Sequence, residues 1–375
     1  MPREANAVDF WRGFALITIF IDHIPGLAYA HYTLANISIS DAADLFVFLA
    51  GWSLRLMAQG RSDRPMPTRD VMLRLGGRAL ELYAAQVLIT MIAIAVLALT
   101  AIETANPLLL EWNNAAAVFN DPVPAHIGLA ILTHQLGYFD ILPLYVVLML
   151  LGPLFALVDR YAPNLLLPAS FALYVIVLAF RITLPTWPES GTWFFNPLAW
   201  QFIFVLGFVL AKDDGIGAAV RRNIVWIRIL AIPVLIVGAM VVLFGWWPDP
   251  TKVPNPKLFF IIDKTYVTPI RVIQFLSQIA VFSLAFRYIR RLGGWLYTRW
   301  LVEPLIGLFA MLGRNSLYVF CVGSLLSLLG QIIRFFYRGY PGADTAVVVI
   351  GIVIMAVTAW LAEARQRFRI SAPAR

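Results

Sequence analysis

Long apolar runs recur along the whole chain and alternate with short polar segments. A helix that crosses the hydrocarbon core of a bilayer needs about 20 mostly apolar residues. Open strands and loops cannot span lipid, because their backbone polar groups would lose their hydrogen bonds. The pattern therefore predicts an all-α polytopic membrane protein with ten transmembrane helices. Their approximate bounds are 10–30, 42–59, 78–101, 137–158, 164–183, 195–211, 225–246, 270–289, 315–334 and 344–364.

One further apolar stretch, residues 296–312, is interrupted by Glu303 and Pro304. A proline inside a helix removes a backbone hydrogen bond and distorts the preceding turn. This stretch predicts an interfacial or re-entrant helix that leads into the ninth span. Neither a soluble segment nor a repeat of fixed period divides the chain, so we treat residues 1–375 as one integral membrane domain.

The composition supports this fold class. Hydrophobic residues make up 61% of the 375 positions and charged residues only 13%, whereas soluble domains average about 25% charged residues. This apolar surplus is too large for the interior of one soluble domain, so we expect much of it to face lipid. The single cysteine, Cys321, has no second cysteine with which to form an intrachain disulfide.

The basic residues are distributed unevenly along a chain whose formal net charge is +8. Most of the 29 Lys and Arg residues fall in segments that the alternation of ten spans puts on one side of the membrane. Because Lys and Arg accumulate on the cytoplasmic side, we expect both termini there. Topology thus explains the positive charge, and no nucleic-acid partner is expected.

The first predicted span carries a polar stripe. Arg12 and His23 are eleven positions apart, which places them within about 20° of each other on a helix, and Asp9 lies within about 40° of His23. Arg12 is near the predicted cytoplasmic end, and His23 lies about 16 Å further along the axis. Ionisable groups at such depth are costly unless they face a bundle interior or a cavity. Pro25 and Gly26 follow, so we expect the helix to break there.

The second predicted span repeats the arrangement with opposite polarity. Asp44 and Arg55 are again eleven positions apart, and Gly51 on the same face allows close approach of another helix or a ligand. A purely structural alternative for the first span has Arg12 reaching lipid phosphates and His23 bonding a neighbouring helix. The second span weakens that alternative, because two antiparallel helices would each present an arginine inside and a titratable group outside.

Other spans add polar residues near their ends, and we group the candidates by their chemistry. A histidine beside carboxylates suits general-base work near neutral pH, so the catalytic candidates are His23, Asp44 and Asp140. A guanidinium suits phosphate binding, so the candidates for binding a phosphorylated donor are Arg12, Arg55, Arg314 and the adjacent Asn315. The polar residues at the outer ends of the fourth and sixth spans are Tyr145, Asn196, Trp200 and Gln201. His126 and His134 lack metal-ligand spacing, and no metal site is expected.

Five segments in this order resemble a known family: DFWRG, IDHIP, DLFVFLAGWS, FDILPLY and GRNSLYVF. They resemble the transmembrane acyltransferase superfamily that includes the acyltransferase-3 proteins, and most of all its OpgC branch, which is linked to succinylation of osmoregulated periplasmic glucans. The resemblance spans most of the chain. The sequence departs from many acyltransferase-3 members at Ala50-Gly51, where they have a Ser-Gly pair.

The resemblance implies an enzyme of the bacterial inner membrane that transfers an acyl group from cytoplasmic acyl-CoA to a hydroxyl of a periplasmic glycan. The donor is succinyl-CoA or acetyl-CoA, and the outer polar residues named above would bind the acceptor. His23 would remove the proton of the attacking hydroxyl, or would itself be acylated first. Asp44 or Asp140 would orient the imidazole. Both routes, both carboxylates and the oligomeric state are open at this point.

A proton-coupled secondary transporter of a small or anionic solute is the rival interpretation, since membrane carboxylates and histidines also form proton relays. Many transporters contain internal repeats with discontinuous helices in matching positions. The two halves of this sequence show no such pairing, which favours the acyltransferase.

Overall fold

The computed structural model describes residues 6–59, 66–293 and 299–371. Over these residues the chain is helical, and the β pairing found in them is an isolated antiparallel bridge between Pro185 and Thr192. The α-helices are α1 (Ala7–Asp22), α2 (Leu34–Ile37), α3 (Ala42–Gln59), α4 (Thr68–Glu103), α5 (Ala116–Asn120), α6 (Pro122–Ala130), α7 (Ile141–Tyr161), α8 (Leu166–Phe180), α9 (Pro197–Leu210), α10 (Gly215–Arg222), α11 (Ile224–Phe244), α12 (Pro269–Gly293), α13 (Arg299–Arg314), α14 (Ser316–Phe336) and α15 (Pro341–Ser371). Short 3₁₀ segments occupy Ala28–Tyr32, Pro107–Asn114 and Lys257–Phe259.

The all-α prediction is confirmed, and a helix lies at each of the ten predicted spans. Within the described ranges, six helices are long and apolar enough to cross a membrane: α4, α7, α11, α12, α14 and the Pro341–Phe368 part of α15. Two apolar helices, α8 and α9, are shorter. The count of ten spans and the cytoplasmic termini stay predictions.

The first predicted span ends earlier than residue 30. Helix α1 stops at Asp22, because Pro25 cannot continue the helix and Gly26 adopts a left-handed conformation with φ of +74°. The predicted break is therefore confirmed. The stretch predicted over 296–312 is the continuous helix α13 with Pro304 inside it. Residues 296–298 of that prediction lie outside the described residues, and the placement of α13 in a bilayer stays a prediction.

The chain forms two compact units, whose boundary on the N-terminal side falls inside α3. The first unit consists of Met1–Phe46, Ile224–Trp246 and Gln274–Arg375, and the second unit of Val47–Asn223 and Trp247–Ile273. Helix α1 packs against α13 and α14 in the first unit. In the second unit α4 packs along α7, and α9 packs against α8.

Glycines bring helix backbones into contact in each unit. In the first unit, a methyl group on Gly13 would overlap the carbonyl oxygen of Phe309, and one on Gly313 would overlap that of Asp9. Helices α1 and α13 therefore touch through their backbones. In the second unit, a methyl group on Gly51 would overlap the carbonyl oxygen of Phe204. The prediction that Gly51 permits close approach of a helix is thus confirmed.

Candidate functional site

The backbone around His23 is held by a row of donors on α14. Ser327 Oγ donates to the carbonyl of Phe20 at 3.0 Å, and Gln331 Nε2 donates to the carbonyl of His23 at 2.7 Å. Arg334 Nη1 donates to the carbonyl of Pro25 at 2.9 Å. Their spacing of four and three residues puts these side chains on one face of α14. They satisfy carbonyl groups that the end of α1 leaves without helical partners.

Ser324 continues this row by one turn and shares a cavity with His23. The cavity has a volume of about 10 Å³ and is also lined by Phe20 and Ser327, which is room for about one water molecule or one ligand oxygen. Ser324 is only 4% exposed, and its hydroxyl has no hydrogen-bond partner among the described residues. A buried hydroxyl of this kind normally has a partner. The cavity therefore offers an O–H donor to an oxygen placed beside the imidazole.

Ser324 and the donors that follow it were not predicted from the sequence. The sequence does contain a pattern that marks these residues. The spacing of Ser324, Ser327, Gln331 and Arg334 forms a polar stripe along one side of an apolar helix. Such a stripe identifies a buried face, but it does not identify the helix that the face meets.

Arg12 lies on α1 near its N-terminal end and is half-buried. This end of α1 is capped by Asn6, whose side-chain oxygen accepts the N–H of Asp9 at 2.8 Å. Asp9 is buried, one helical turn before Arg12. The helix is continuous from Arg12 to Asp22, so Arg12 and His23 keep the predicted axial separation of about 16 Å.

Asp44 is fully buried in the first unit, and one of its oxygens caps a helix. Asp44 Oδ2 accepts the N–H of Asp41 at 2.9 Å, while Asp41 Oδ1 accepts the N–H of Ala43 at 2.8 Å. This is the reciprocal arrangement of a capping box at the start of α3. The structure thus gives Asp44 a structural role, and its predicted part in orienting His23 stays a prediction.

The other two donor candidates of the first unit also have intramolecular roles. Arg314 forms an ion pair with Glu363, with its Nη2 at 2.8 Å from Glu363 Oε1. Asn315 is buried at the junction between α13 and α14, where its side chain donates to the carbonyl of Met311 at 2.9 Å. Their predicted binding of donor phosphates stays a prediction.

The second unit contains Arg55, which belongs to a cluster of charged side chains. Its Nη1 lies 2.9 Å from Asp159 Oδ2, and Lys212 Nζ lies 2.8 Å from the other oxygen of the same carboxylate. The three side chains line a cavity of about 630 Å³. Lys212 and Asp159 were not singled out in the sequence, because nothing in it shows that residues at 55, 159 and 212 meet.

Asp140 and Tyr145 also belong to the second unit. Asp140 directly precedes α7 and is half-buried. Its predicted part in orienting the His23 imidazole stays a prediction. Tyr145 follows on α7 and is half-buried.

The remaining substrate candidates are buried in the second unit with their polar groups already bonded. Asn196 caps α9 by accepting the N–H of Leu198 at 3.2 Å and donates to the carbonyl of Ile182 at 2.8 Å.

Trp200 Nε1 donates to the carbonyl of Lys264 at 3.1 Å. Gln201 exchanges hydrogen bonds with Ser170. These contacts account for the polarity of the three residues, whose contact with an acceptor stays a prediction.

Comparison with known proteins agrees with the resemblance seen in the five segments. The family model described as OpgC protein matches residues 3–367, which is nearly the whole chain. The match includes His23, Ser324 and every other candidate residue named above. No curated protein matches the chain.

Proposed function

Because the chain belongs to the OpgC family, we propose that it is a membrane-embedded O-acyltransferase that moves an acyl group from cytoplasmic acyl-CoA to a hydroxyl of a periplasmic glycan. Family membership and the long apolar helices support a membrane protein of transferase type. The donor, the acyl group and the acceptor are the finer part of the proposal. Succinyl is the acyl group that the family favours, and acetyl is its alternative.

The observation that carries the proposal is the cavity that His23 shares with Ser324. Acyl transfer from a thioester needs a base for the attacking hydroxyl and a donor for the carbonyl oxygen on which negative charge develops. An imidazole and an O–H group line this cavity, whose volume of about 10 Å³ suits one oxygen atom. The carbonyl oxygen of a thioester is a group of that size.

In the direct route, His23 takes the proton of the acceptor hydroxyl while its oxygen attacks the thioester carbonyl carbon. A carbon–oxygen bond forms, the carbon–sulfur bond breaks, and the departing thiolate takes up the proton that His23 has received. Ser324 donates to the carbonyl oxygen throughout. In the second route, an imidazole nitrogen of His23 attacks the thioester carbonyl carbon, and the carbon–sulfur bond breaks to release the CoA thiolate. The acceptor hydroxyl then attacks the acyl-imidazole, the carbon–nitrogen bond breaks, and the proton of the hydroxyl passes to the departing imidazole. Both routes use the same two side chains.

Arg12 would bind phosphate groups of the donor. It lies about 16 Å along α1 from His23, and the extended pantetheine arm of CoA separates its phosphates from its thioester by a comparable length. A guanidinium at one end of the helix and an imidazole at the other therefore match the two ends of that arm.

Acyl transfer by the purified full chain tests the proposal. We expect the wild type, reconstituted in lipid, to transfer labelled succinyl groups from succinyl-CoA to a periplasmic glucan, and His23→Ala to lose this activity. His31→Ala changes an exposed histidine of the same unit and is the matched control. A parallel assay with acetyl-CoA decides the acyl group.

Two results would contradict the proposal. The first is a folded His23→Ala protein with normal acyl transfer. The second is ion-dependent solute uptake by proteoliposomes without any thioester cleavage, which would identify a transporter.

A further inference from the structure

The cavity of about 630 Å³ in the second unit lies where several helices end. Its walls come from the C-terminal ends of α3 and α7, the N-terminal end of α4, and the segment that follows α9. The spans predicted from the sequence put these ends on the cytoplasmic side. The volume falls within the range of about 300–1,000 Å³ that is usual for small-molecule sites.

Positive charge dominates the ionisable lining of this cavity. The lining contains three cations, Arg55, Arg160 and Lys212, and two carboxylates, Asp159 and Asp214. Asp159 is buried, and it bonds Arg55 and Lys212 at the same time. Asp214 lies 3.9 Å from Lys212, so the three cations and two carboxylates of the lining carry a formal net charge of +1.

The arginines present further donors. Arg55 Nε is buried and has no hydrogen-bond partner among the described residues. A guanidinium group can only donate hydrogen bonds, so this buried N–H needs an acceptor oxygen as its partner. Arg160 is positioned beside the first turn of α4, where its Nη1 donates to the carbonyl of Met66 at 2.9 Å and to Thr68 Oγ1 at 3.2 Å. The first turn of a helix carries partial positive charge, which adds to that of Arg160.

We propose that this cavity binds the phosphate groups of a ligand through Arg55, Arg160 and Lys212. Guanidinium and ammonium groups with unused donors are the usual partners of phosphate in proteins. Asp159 holds Arg55 and Lys212 in place, and phosphate oxygens accept from the guanidinium and ammonium groups that line the cavity. This site lies within the second unit alone. It is additional to Arg12, the phosphate-binding residue that the proposed function names in the first unit.

Two sources can supply the phosphate: a soluble nucleotide such as the bisphosphate end of CoA, or the headgroup of an anionic lipid. A nucleotide fits the size of the cavity, and CoA is a cytoplasmic compound. The experiment therefore has one arm for each source.

The first arm titrates the purified full chain, in nanodiscs of phosphatidylcholine, with adenosine 3′,5′-bisphosphate, which is the nucleotide end of CoA without its thiol arm. We expect binding that weakens as salt is added. Lys212→Gln and Arg160→Gln should each weaken it about 10-fold or more, because each removes a charged hydrogen bond. Lys252→Gln is the matched control: it removes one lysine charge from the second unit and does not line the cavity.

The second arm measures retention of phosphatidylglycerol by native mass spectrometry. Loss of a retained lipid in Lys212→Gln but not in Lys252→Gln would identify the lipid headgroup as the source of the phosphate. Arg160 is exposed, so Arg160→Gln keeps the test valid if the loss of the Lys212–Asp159 pair impairs folding. Unchanged binding in both arms for both variants would overturn the inference.

The outcome is separable from that of the proposed function. Adenosine 3′,5′-bisphosphate has no acyl group, so its binding reports on the cavity and not on transfer. Normal acyl transfer with no effect of the cavity variants would overturn the inference alone, whereas phosphate binding without any transfer would overturn the function alone.

Discussion

At the scale of single residues, the buried hydroxyl of Ser324 lowers the stability of the fold, but it can donate to the oxygen on which negative charge develops during the reaction. We expect Ser324→Ala to lower kcat for acyl transfer by about 10²-fold, the usual effect of removing one donor to a developing oxyanion. The KM for the donor should change little, because the bond forms mainly in the transition state. Since the hydroxyl is buried without a partner among the described residues, its removal should leave the thermal midpoint unchanged or higher.

Ser327→Ala provides the control for this comparison. Ser327 donates to the carbonyl of Phe20, so its loss should lower the thermal midpoint, in contrast to Ser324→Ala. Wild-type kcat in the Ser324→Ala protein would rule out the oxyanion role.

His134 gives the second prediction at the residue scale, which concerns pH. The imidazole is buried in the second unit, between α6 and α7. Burial lowers the pKa of His134 below its ordinary value of 6.5, against the opposing effects of the Glu189 carboxylate and of the Asn114 backbone. As pH falls below about 6.5, the unfolded chain takes up a proton that the folded chain resists, so folding stability is lost.

Thermal unfolding at about pH 7.5 and about pH 5.5 measures this effect. We expect the acid-induced decrease in midpoint to be smaller in His134→Leu than in the wild type. Groups that do not interact with His134 contribute equally in both proteins, so the difference reports on His134 and on its interaction with Glu189. The exposed His126 supplies the comparison, since His126→Gln should keep the wild-type decrease. An equal decrease in His134→Leu would show that this histidine does not contribute.

At the scale of helices, the backbone contact between α1 and α13 depends on Gly13. A methyl group there would overlap the carbonyl oxygen of Phe309, so Gly13→Ala should destabilise the protein by about 1–3 kcal/mol or more. Gly307→Ala is a closely matched control, because it lies on α13 with no other atoms within 4 Å of the added methyl group. Alanine favours helix over glycine by up to about 1 kcal/mol, so the control should be neutral or stabilising. The thermal midpoints of the Gly13→Ala and Gly307→Ala proteins, measured in the same detergent, test this expectation. Equal midpoints would contradict the close contact.

The positions of the helices could be predicted from the sequence, while most of their partners could not. An apolar run of sufficient length must form a helix in lipid, and Pro25 with Gly26 had to end α1. Asp44 shows the limit of prediction from the sequence. Its eleven-residue spacing from Arg55 suggested chemistry, yet a capping box at Asp41 uses one of its oxygens. The local pattern of Asp41 and Asp44 before an apolar run was itself readable as a helix start.

The candidate site was predictable only in its first helix. Arg12 lies on α1 and His23 directly follows its last residue, so the axial separation calculated along one helix agrees with the structure. Ser324 is some 300 positions away in sequence, and its meeting with His23 depends on how α14 packs on α1. For the same reason, the pairing of Asp159 with Arg55 and Lys212 could not be predicted from the sequence. Contacts between distant elements follow from packing of whole faces, which a single sequence does not specify.

At the scale of the whole molecule, the proposed reaction requires a fixed orientation in the membrane, because acyl-CoA is cytoplasmic and the acceptor is periplasmic. The distribution of Lys and Arg predicts that the segment between α9 and α10 is cytoplasmic and that the segment between α11 and α12 is periplasmic. Asp213 in the former and Lys252 in the latter have side chains that are 99% and 82% exposed. They are therefore suitable positions for labelling.

Single-cysteine labelling tests this orientation, starting from Cys321→Ser, which removes the native thiol. In intact spheroplasts, a membrane-impermeant maleimide should label the protein with Lys252→Cys and not the protein with Asp213→Cys. After permeabilisation both should react, which shows that both thiols are accessible. The reverse pattern in intact cells would place the basic segments outside. The phosphate-binding cavity would then face the compartment that lacks CoA, so the same experiment also tests whether a cytoplasmic nucleotide can reach Arg160 and Lys212.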